Sequence, residues 1–416
     1  MTSESSTGAP LGPAFRLYWL CRVFVSLSFQ MAAVAVGWLV YAKTGSAYDL
    51  GLVGLFQFLP MVALTFLVGH VADRFDRRRI VAICELVNAA VLGVLAFGAS
   101  SDWLTVPMIF ACVALLGATR AFEHPTLSSL LPALVPADVL PRAVALSTSA
   151  MQTATIAGPS LGGLLYAATP HAPLGIAAAL DVAAFVAIVM IAIAPRVAAR
   201  EPVTLASVFS GLHFIWSRPV ILGAISLDLF AVLLGGVTAL LPIYAHDILH
   251  VGPWGLGVLR SAPAVGALVM SLVVSRVGLE TRVGPKMFAA VIAFGVTTIV
   301  FSLSSSMIVS IGALAALGAA DTISVVVRTS LVQLSTPDAM RGRVLAVNSL
   351  FIGTSNQLGE FESGMLAGLF GAVASGVIGG VGTIAVALAW MAIFPALRRI
   401  ETLPKAEPEP VPGAAE

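Results

Sequence analysis

Twelve apolar stretches, each long enough to cross a lipid bilayer, constrain this chain more than any other feature of its sequence. A bilayer span needs roughly 20 predominantly apolar residues, and it must be helical so that no backbone group is left unpaired in hydrocarbon. The stretches lie at approximately 15–42, 49–72, 79–100, 104–131, 141–168, 173–195, 219–245, 254–275, 285–305, 307–334, 342–370 and 372–396. The sequence therefore predicts an all-α integral membrane protein with twelve transmembrane helices.

The sparse charge excludes several classes of protein. Only 10% of the 416 residues are charged, against about 25% in a typical soluble domain. The net charge of +1 gives no sign of a nucleic-acid partner. The sequence contains no phosphate-binding Walker motif and no recognisable nucleophile–base pair, so we expect neither an ATP-driven pump nor an enzyme, and no cofactor. His246 and His250 have the i, i+4 spacing of a zinc site, but no third ligand is evident, and we predict no metal.

The basic residues are segregated by side of the membrane. With the N-terminus on one side, that side receives seventeen of the 22 Lys and Arg residues, and the other side receives only Lys43. The remaining four, Arg22, Arg120, Arg260 and Arg328, lie within spans. Because cytoplasmic loops are enriched in Lys and Arg, both termini are predicted to lie in the cytoplasm and the chain in the cytoplasmic (inner) membrane.

A charged loop between the second and third stretches carries the clearest motif. Residues 69–79 read GHVADRFDRRR, and so many charges cannot lie in hydrocarbon. The order resembles the loop between the second and third helices of major facilitator superfamily transporters, although Asp76 stands where many members have glycine. The resemblance implies a latch that joins two halves of the protein, formed here by Gly69, Asp73, Arg74, Arg77 and Arg78. The alternative is a plain cluster of positive charge on the cytoplasmic side.

Two further motifs resemble the same superfamily. Arg120, midway along the fourth stretch, matches an arginine linked to proton coupling, and Glu123 lies three residues on along the same face. The alternative is a structural ion pair, with Glu85 as a possible partner. In the fifth stretch the sequence GPSLGG resembles the motif of exporters that act as antiporters, through Gly158, Pro159, Gly162 and Gly163. The alternative for these residues is an ordinary close helix contact.

The remaining charges within the stretches are costly to bury and are therefore candidates for function. For proton coupling we predict Arg120, Glu123, Asp228 and Asp321, with stabilising charge pairs as the alternative. For the cavity we predict Arg22, Arg328, Glu360 and Glu362. The two glutamates are about 200° apart around a helix, so only one of them is expected to face the cavity.

An internal repeat divides the chain. An offset of 201 residues pairs Gly158 with Gly359, Gly163 with Gly364, and Arg120 with Asp321. In facilitator transporters two six-helix bundles are related by a pseudo-twofold axis along the membrane normal. We therefore predict a bundle at 1–195, an amphipathic cytoplasmic linker at 196–218, a second bundle at 219–397 and a disordered cytoplasmic tail at 398–416.

Together these features predict a monomeric secondary active transporter whose partners are a small molecule, protons and the lipid bilayer. The string QLGEFESG, with DRFDRRR and GPSLGG, resembles the enterobactin-exporter-like branch of the superfamily. This resemblance implies proton-coupled export of a small amphiphilic molecule, a siderophore or a drug-like compound, by alternating access. Two alternatives stay open, namely an importer driven by proton symport and a non-transporting membrane sensor on the same fold.

Overall fold

The computed structural model describes residues 12–101, 103–136, 138–192, 205–279 and 281–403, and these residues form helices and connecting turns without a β-strand. The predicted all-helical fold is therefore confirmed. The helices are α1 Pro13–Thr44, α2 Ala47–Arg74, α3 Arg77–Ser101, α4 Val106–Leu134, α5 Leu140–Ala168, α6 Ala172–Val189, α7 Leu205–Ser217, α8 Pro219–Leu234, α9 Leu241–Ile243, α10 Gly252–Val277, α11 Val283–Leu303, α12 Met307–Leu334, α13 Asp338–Phe370, α14 Ala372–Ile393 and α15 Pro395–Arg398. A 3-10 turn, Val237–Leu240, precedes α9, and a π-helical turn, Tyr244–Ile248, follows it.

Within the described ranges, ten helical segments are long and apolar enough to cross a membrane. This finding differs from the predicted twelve because α5 and α13 fall outside that set, although they are 29 and 33 residues long. Both helices carry polar side chains in their middle turns, among them Gln152 in α5 and Glu360 in α13, and these side chains line a central cavity. The polar side chains that these two helices direct towards the centre of the protein reduce their apolar character.

The turn between α1 and α2 defines the two faces of the molecule. Gly45 ends α1 in the left-handed region, at φ 60°, where glycine has no steric penalty. Ser46 then caps α2, since its hydroxyl accepts a hydrogen bond of 3.2 Å from the amide of Asp49. The two helices are consequently antiparallel. We call the face at which α1 begins, at Pro13, the near face, and the face at which it ends, at Thr44, the far face.

The long helices pack in two sets. In the first set α1 packs against α5 and α6, α2 against α4, and α3 against both α4 and α6. In the second set α10 and α11 pack against α12, α11 against α14, and α8 against α13 and α14. The main packing between the sets is that of α5 with α10 and of α2 with α13.

The buried apolar residues show where the two sets join. One continuous cluster includes Val34 and Leu39 of α1 and also Leu240, Leu256 and Leu314 of the second set, and it lies towards the far face. Near the opposite face the clusters are separate. One of them, around Tyr18 and Leu127, belongs to the first set, and others belong to the second set. Because burial of apolar surface stabilises an interface, the sets are held together mainly on the far side.

The short helix α7 packs on the second set near its near-face end. Gly211 of α7 lies against the backbone of Arg343 in α13, and a side chain at this position would collide with it. Ile215 is fully buried, whereas Trp216 is 68% exposed. The helix therefore has one packed and one open side, within the linker predicted at 196–218. Residues 193–204 of that region, and 404–416 of the predicted tail, lie outside the described residues.

Candidate functional site

A cavity of about 530 Å³ lies between the two sets of helices, halfway along them. This volume is typical of a pocket for a small organic ligand. The first set contributes Gln30, Gln152, Thr155 and Pro159 to its lining. The second set contributes Val232, Gly235, Gly236, Val237, Thr238, Arg260, Pro263, Ala264, Ala267, Phe294, Leu317, Gly318, Asp321, Asn356 and Glu360. The wall therefore combines apolar surface with a few amide groups and three charged side chains.

A second, smaller cavity of about 100 Å³ lies mainly within the first set. Arg120, Glu123 and Asp181 line it, together with Arg260 and Glu360, which also line the larger cavity. The two cavities are therefore neighbours that share one charged boundary. Of the predicted site residues, the structure brings Arg120, Glu123, Asp321 and Glu360 to this central region.

The central guanidinium carbon of Arg120 lies over the ring of Phe29, 3.5 Å from the ring centre. Such a contact stabilises a cation that has lost most of its water. Glu123 is 4% exposed and accepts a hydrogen bond of 3.2 Å from the amide of Asn88. Asn88 in turn accepts one of 2.5 Å from the hydroxyl of Thr119. Glu123 thus belongs to a buried hydrogen-bonded network that joins α3 and α4, and Arg120 lies beside it, in contact with α1 and acting electrostatically on Glu123.

Two more carboxyl groups lie in the same region of the first set. Glu85 of α3 is completely buried, and neither of its carboxyl oxygens has a hydrogen-bond partner. Asp181 of α6 is 2% exposed, and Ser28 donates a hydrogen bond to it. The carboxyls of Glu85, Glu123 and Asp181 act electrostatically on one another. From the sequence, Glu85 is expected only as a possible ion-pair partner of Arg120, whereas the structure places it in this wider group of acids.

In the second set, Asp228 of α8 and Arg328 of α12 form a buried ion pair, and their residues are 8% and 3% exposed. From the sequence, Arg328 is predicted to line the cavity and Asp228 to take part in proton coupling. The structure places neither residue on the walls of the two central cavities. The physical reason is mutual neutralisation, because each charge is buried against the other rather than against solvent in the cavity.

The remaining predicted cavity residues have different surroundings. Glu360 faces the cavity, whereas Glu362 is half-buried outside both central cavities and accepts a hydrogen bond of 3.4 Å from Ser363. The expectation that only one of these glutamates faces the cavity agrees with this placement. Arg22 also lies outside both cavities, between α4 and α5, where it donates to the hydroxyl of Ser128 at 3.4 Å.

The GPSLGG motif of α5 packs against both sets. A side chain at Gly158 or Gly162 would collide with α1, at Gln30 and Met31 respectively. A side chain at Gly163 would collide with the backbone of Gly257 in α10, which belongs to the other set. The motif is therefore a three-helix contact, and small residues are required there because the backbones approach so closely.

The corresponding contact on the other side of the molecule uses the repeat partner of Gly163. Gly364 of α13 lies against Gly51 of α2 so closely that a Cβ at either position would meet the backbone of the other helix. The 201-residue offset pairs Gly163 with Gly364. The two glycine crossings lie in the far-face halves of their helices. They seal the central cavity on that side.

Side chains reinforce the seal at the far face. The hydroxyl of Tyr41, at the end of α1, donates a hydrogen bond to the carboxylate of Asp247. The same carboxylate is 2.5 Å from the Nδ1 atom of His246. The ring of His246 lies 5.6 Å from that of Trp38 and 5.7 Å from that of Tyr41. We call Tyr41, His246 and Asp247 the far-face lock, since they join the first set to the second.

In the sequence, His246 is notable only for its i, i+4 spacing with His250, which is typical of a zinc site. Within the described residues no group of three or more His, Cys, Asp or Glu side chains is arranged to hold a metal ion. The far-face lock is not predictable from the sequence, because Tyr41 and Asp247 are 206 positions apart. Their meeting depends on how α1 and the seventh apolar stretch pack in three dimensions.

The charged loop lies at the near face, and its described contacts are all within the first set. Arg78 forms an ion pair of 3.0 Å with Asp76 and donates to the backbone carbonyl of Ile191 at 2.5 Å. By hydrogen-bonding the carboxylate, Arg78 holds the pKa of Asp76 below its usual value. Arg77 donates to the carbonyl of Ser129 at 3.4 Å, and Arg74 is exposed. Gly69 and Asp73 are also predicted for the latch. The surroundings of Gly69 and the side chain of Asp73 lie outside the described part of the structure.

Comparison with known proteins identifies the family to which this chain belongs. A family model described as transmembrane secretion effector matches residues 5–413 of this chain. The enterobactin exporter EntS of Citrobacter koseri is 26% identical over 408 residues, which cover 97% of this chain and 96% of that protein. The multidrug efflux pump Tap of Mycobacterium tuberculosis is 27% identical over 421 residues, which cover 97% of this chain and 99% of the pump.

A solved structure shares the fold. A bacterial homologue of the human lysosomal transporter Spinster, in an inward-facing and unoccupied conformation, has a TM-score of 0.71 and 13% identity, over 94% of this chain and 97% of its own. The family and the relatives confirm the resemblance to major facilitator superfamily transporters. They also confirm the prediction of a multi-pass membrane transporter rather than an enzyme.

Proposed function

We propose, from the premise that this chain belongs to the transmembrane secretion effector family, that it is a secondary active exporter working by alternating access. The observation that carries this proposal is the central cavity between the two sets of helices, with its seal on the far face. Alternating access needs a binding site that lies between two bodies and opens to one side at a time. A cavity sealed by contacts on one face meets that requirement.

The proposed layout is two six-helix bundles, at 1–195 and 219–397, joined by the linker at 196–218 and related by a pseudo-twofold axis along the membrane normal. It adds the polar helices α5 and α13 to the ten candidate spans. The equivalent glycine crossings at Gly163 and Gly364 support the repeat. A polar helix can cross a membrane when its polar side faces a cavity rather than lipid.

We assign the near face to the cytoplasm, and both termini lie on that side. We also propose that the protein is a monomer in the inner membrane. Seventeen Lys and Arg residues on that side support this orientation. In this orientation the structure corresponds to a state whose cavity is closed towards the outside. The loop at 69–79 then acts in the opposite state, where its Arg74, Arg77 and Arg78 latch the cytoplasmic ends of the two bundles together.

The proposed cargo is a small amphiphilic molecule, either a siderophore or a drug-like compound. The names of the two relatives cover both classes. The lining supports an amphiphile because apolar residues such as Phe294 and Leu317 alternate with the amides of Gln30, Gln152 and Asn356. These polar groups are able to orient a ligand while the apolar wall excludes water from it.

We propose that inward proton movement drives export, with Arg120 and Glu123 in the coupling network and Asp228 and Asp321 as further candidates. The polar network of Glu123 and Asn88, with Arg120 beside it, supports a role for the first pair. Asp321 lines the central cavity and is accessible from it. The ion pair of Asp228 with Arg328 supports the alternative role of stabilising the second bundle.

The test is proton movement in reconstituted vesicles that depends on added substrate. Replacing Arg120 by Ala should reduce this movement by about tenfold or more, the size of a typical coupling free energy, while the protein still folds. Arg16→Ala, which removes an exposed arginine of α1 at the near face, is the matched control and should couple like the native chain. Substrate moving in the same direction as protons would show an importer, and ligand binding without any flux would show a sensor.

A further inference from the structure

We infer that the central cavity selects compounds with a single positive charge on an apolar body, an inference that rests on the proposed function. It narrows the two proposed classes of cargo to one. The basis is the balance of charge along the cavity wall. Only Arg260, Asp321 and Glu360 are charged among the described lining residues, so the wall carries one cation and two carboxylates.

Two of the three charges are neighbours of opposite sign. Arg260 of α10 and Glu360 of α13 line both central cavities, and Arg260 acts electrostatically on Glu360. An oppositely charged neighbour lowers the demand of each group for an external counter-ion. Asp321 of α12 is then the uncompensated charge of the larger cavity.

Asp321 has no cationic partner of its own among the residues that the structure describes. The arginine seven positions further along the same helix, Arg328, is committed to Asp228 in the buried ion pair. Asp228 is also near Asp321, because both line a small recess of about 10 Å³ with Ser324. Because Arg328 is paired with Asp228, Asp321 faces the larger cavity without a neutralising cation among the described residues. A positively charged ligand in the cavity is able to supply that cation.

An aromatic ring stands beside this carboxyl. Phe294 of α11 lines the larger cavity and the small recess together with Asp321. A carboxylate next to an aromatic face is a favourable environment for an organic cation, through charge attraction and cation–π contact. Around the pair the wall is apolar, and its members include Val232, Pro263, Ala264, Ala267 and Leu317. The apolar part of a cationic ligand would pack against these residues.

The same arrangement disfavours anions. A cargo with several negative charges, as in catecholate or carboxylate iron chelators, would meet Asp321 and Glu360 with Arg260 as the one opposing cation of the described wall. Like charges brought together in a partly desolvated site are a strong source of discrimination between ligands. The cavity therefore favours the drug-like cationic class over anionic siderophores.

Tetraphenylphosphonium and tetraphenylborate test this inference, since they have nearly the same shape and opposite charge. Binding of each would be measured at equilibrium on the purified full chain in detergent, with detergent alone as the blank. We expect tetraphenylphosphonium to bind at least about tenfold more tightly, which corresponds to about 1.4 kcal/mol. Asp321→Asn should weaken its binding about tenfold. Arg260→Gln should strengthen it, because the wall loses its cation.

Glu401→Gln removes a carboxylate at the near face, outside both central cavities, and should leave binding unchanged. The unfolding temperature of each variant shows whether it is folded. If Asp321→Asn does not fold, the opposite response expected of Arg260→Gln decides the question. Preferential binding of tetraphenylborate, or no effect of either substitution in folded protein, would overturn the charge selectivity. Neither result bears on export, because flux of the native cargo is measured separately in vesicles.

Discussion

Asp228 and Arg328 show how a single buried contact changes the interpretation of a residue. Each is a costly charge inside an apolar stretch, and by itself each is a reasonable candidate for function. In the structure they neutralise one another, and Asp228 also lines a small recess together with Phe294 and Asp321. The sequence does not reveal this pairing, because the two residues lie 100 positions apart on helices whose mutual register depends on packing.

The ion pair predicts a specific pattern of stability. Asp228→Ala should lower the free energy of unfolding by about 3–5 kcal/mol, because it leaves the charge of Arg328 buried without a partner. The double variant Asp228→Leu with Arg328→Met removes both charges and should recover most of that loss. Thermal unfolding of the purified protein in detergent measures both. Equal destabilisation by the single and the double variant would contradict the ion pair.

At the scale of helices, most apolar stretches agree with the long helices to within a few residues. The exceptions are the stretch at 173–195, whose helix ends at Val189, and the stretch at 219–245, whose helix is interrupted after Leu234. The stretch at 307–334 coincides with α12, Met307–Leu334, because hydropathy alone defines a lipid-facing helix. The sequence is much less informative about which residues form the contacts between helices. The repeat offset paired Gly163 with Gly364, yet nothing in the sequence indicated Gly257 and Gly51 as their partners. Such partners depend on the angle and depth at which two helices cross.

The glycine crossings predict a conformational effect. Gly163→Ala and Gly364→Ala each place a methyl group against the facing backbone, and overpacking of this kind costs about 1–3 kcal/mol. Each substitution should therefore favour opening of the far face. Labelling of a cysteine introduced at the cavity wall, with a reagent added from the far side, would report the change as faster modification.

Gly93→Ala is the matched control, since a Cβ at Gly93 meets nothing within 4 Å. Its labelling rate should equal that of the native protein. If Gly163→Ala and Gly364→Ala label at the control rate while remaining folded, the two crossings do not hold the far face closed.

At the scale of the whole molecule, the uneven distribution of arginine and lysine links the sequence to the membrane. In the proposed twelve-span layout, seventeen of these residues lie on the side that contains the N-terminus, among them the cluster Arg77, Arg78 and Arg79. With α5 and α13 counted as spans, the number of crossings is even and both ends of the chain lie on one side. If either polar helix did not cross, the segregation of charge would break down in every later loop.

The orientation predicts the outcome of reporter fusions. Green fluorescent protein fused to the C-terminus should fluoresce, and alkaline phosphatase fused there should be inactive, because the first matures in the cytoplasm and the second outside it. The same pair of reporters placed after Lys43, in the first far-face turn, should give the reverse result. A C-terminal fusion with active phosphatase would contradict the even number of crossings and the proposed two-bundle layout.

The interruption of the seventh apolar stretch has a consequence for the transport cycle. Helix α8 ends at Leu234, and the chain passes through Gly235, Gly236 and a 3-10 turn before Asp247 meets Tyr41. Bending at such a break disturbs fewer main-chain hydrogen bonds than bending an unbroken helix. Gly235 and Thr238 line the central cavity. In the proposed transport cycle, a cargo molecule bound there would touch this stretch at its break, a dozen residues before Asp247 of the far-face lock. Bending at the break would then link occupation of the cavity to opening of the far face.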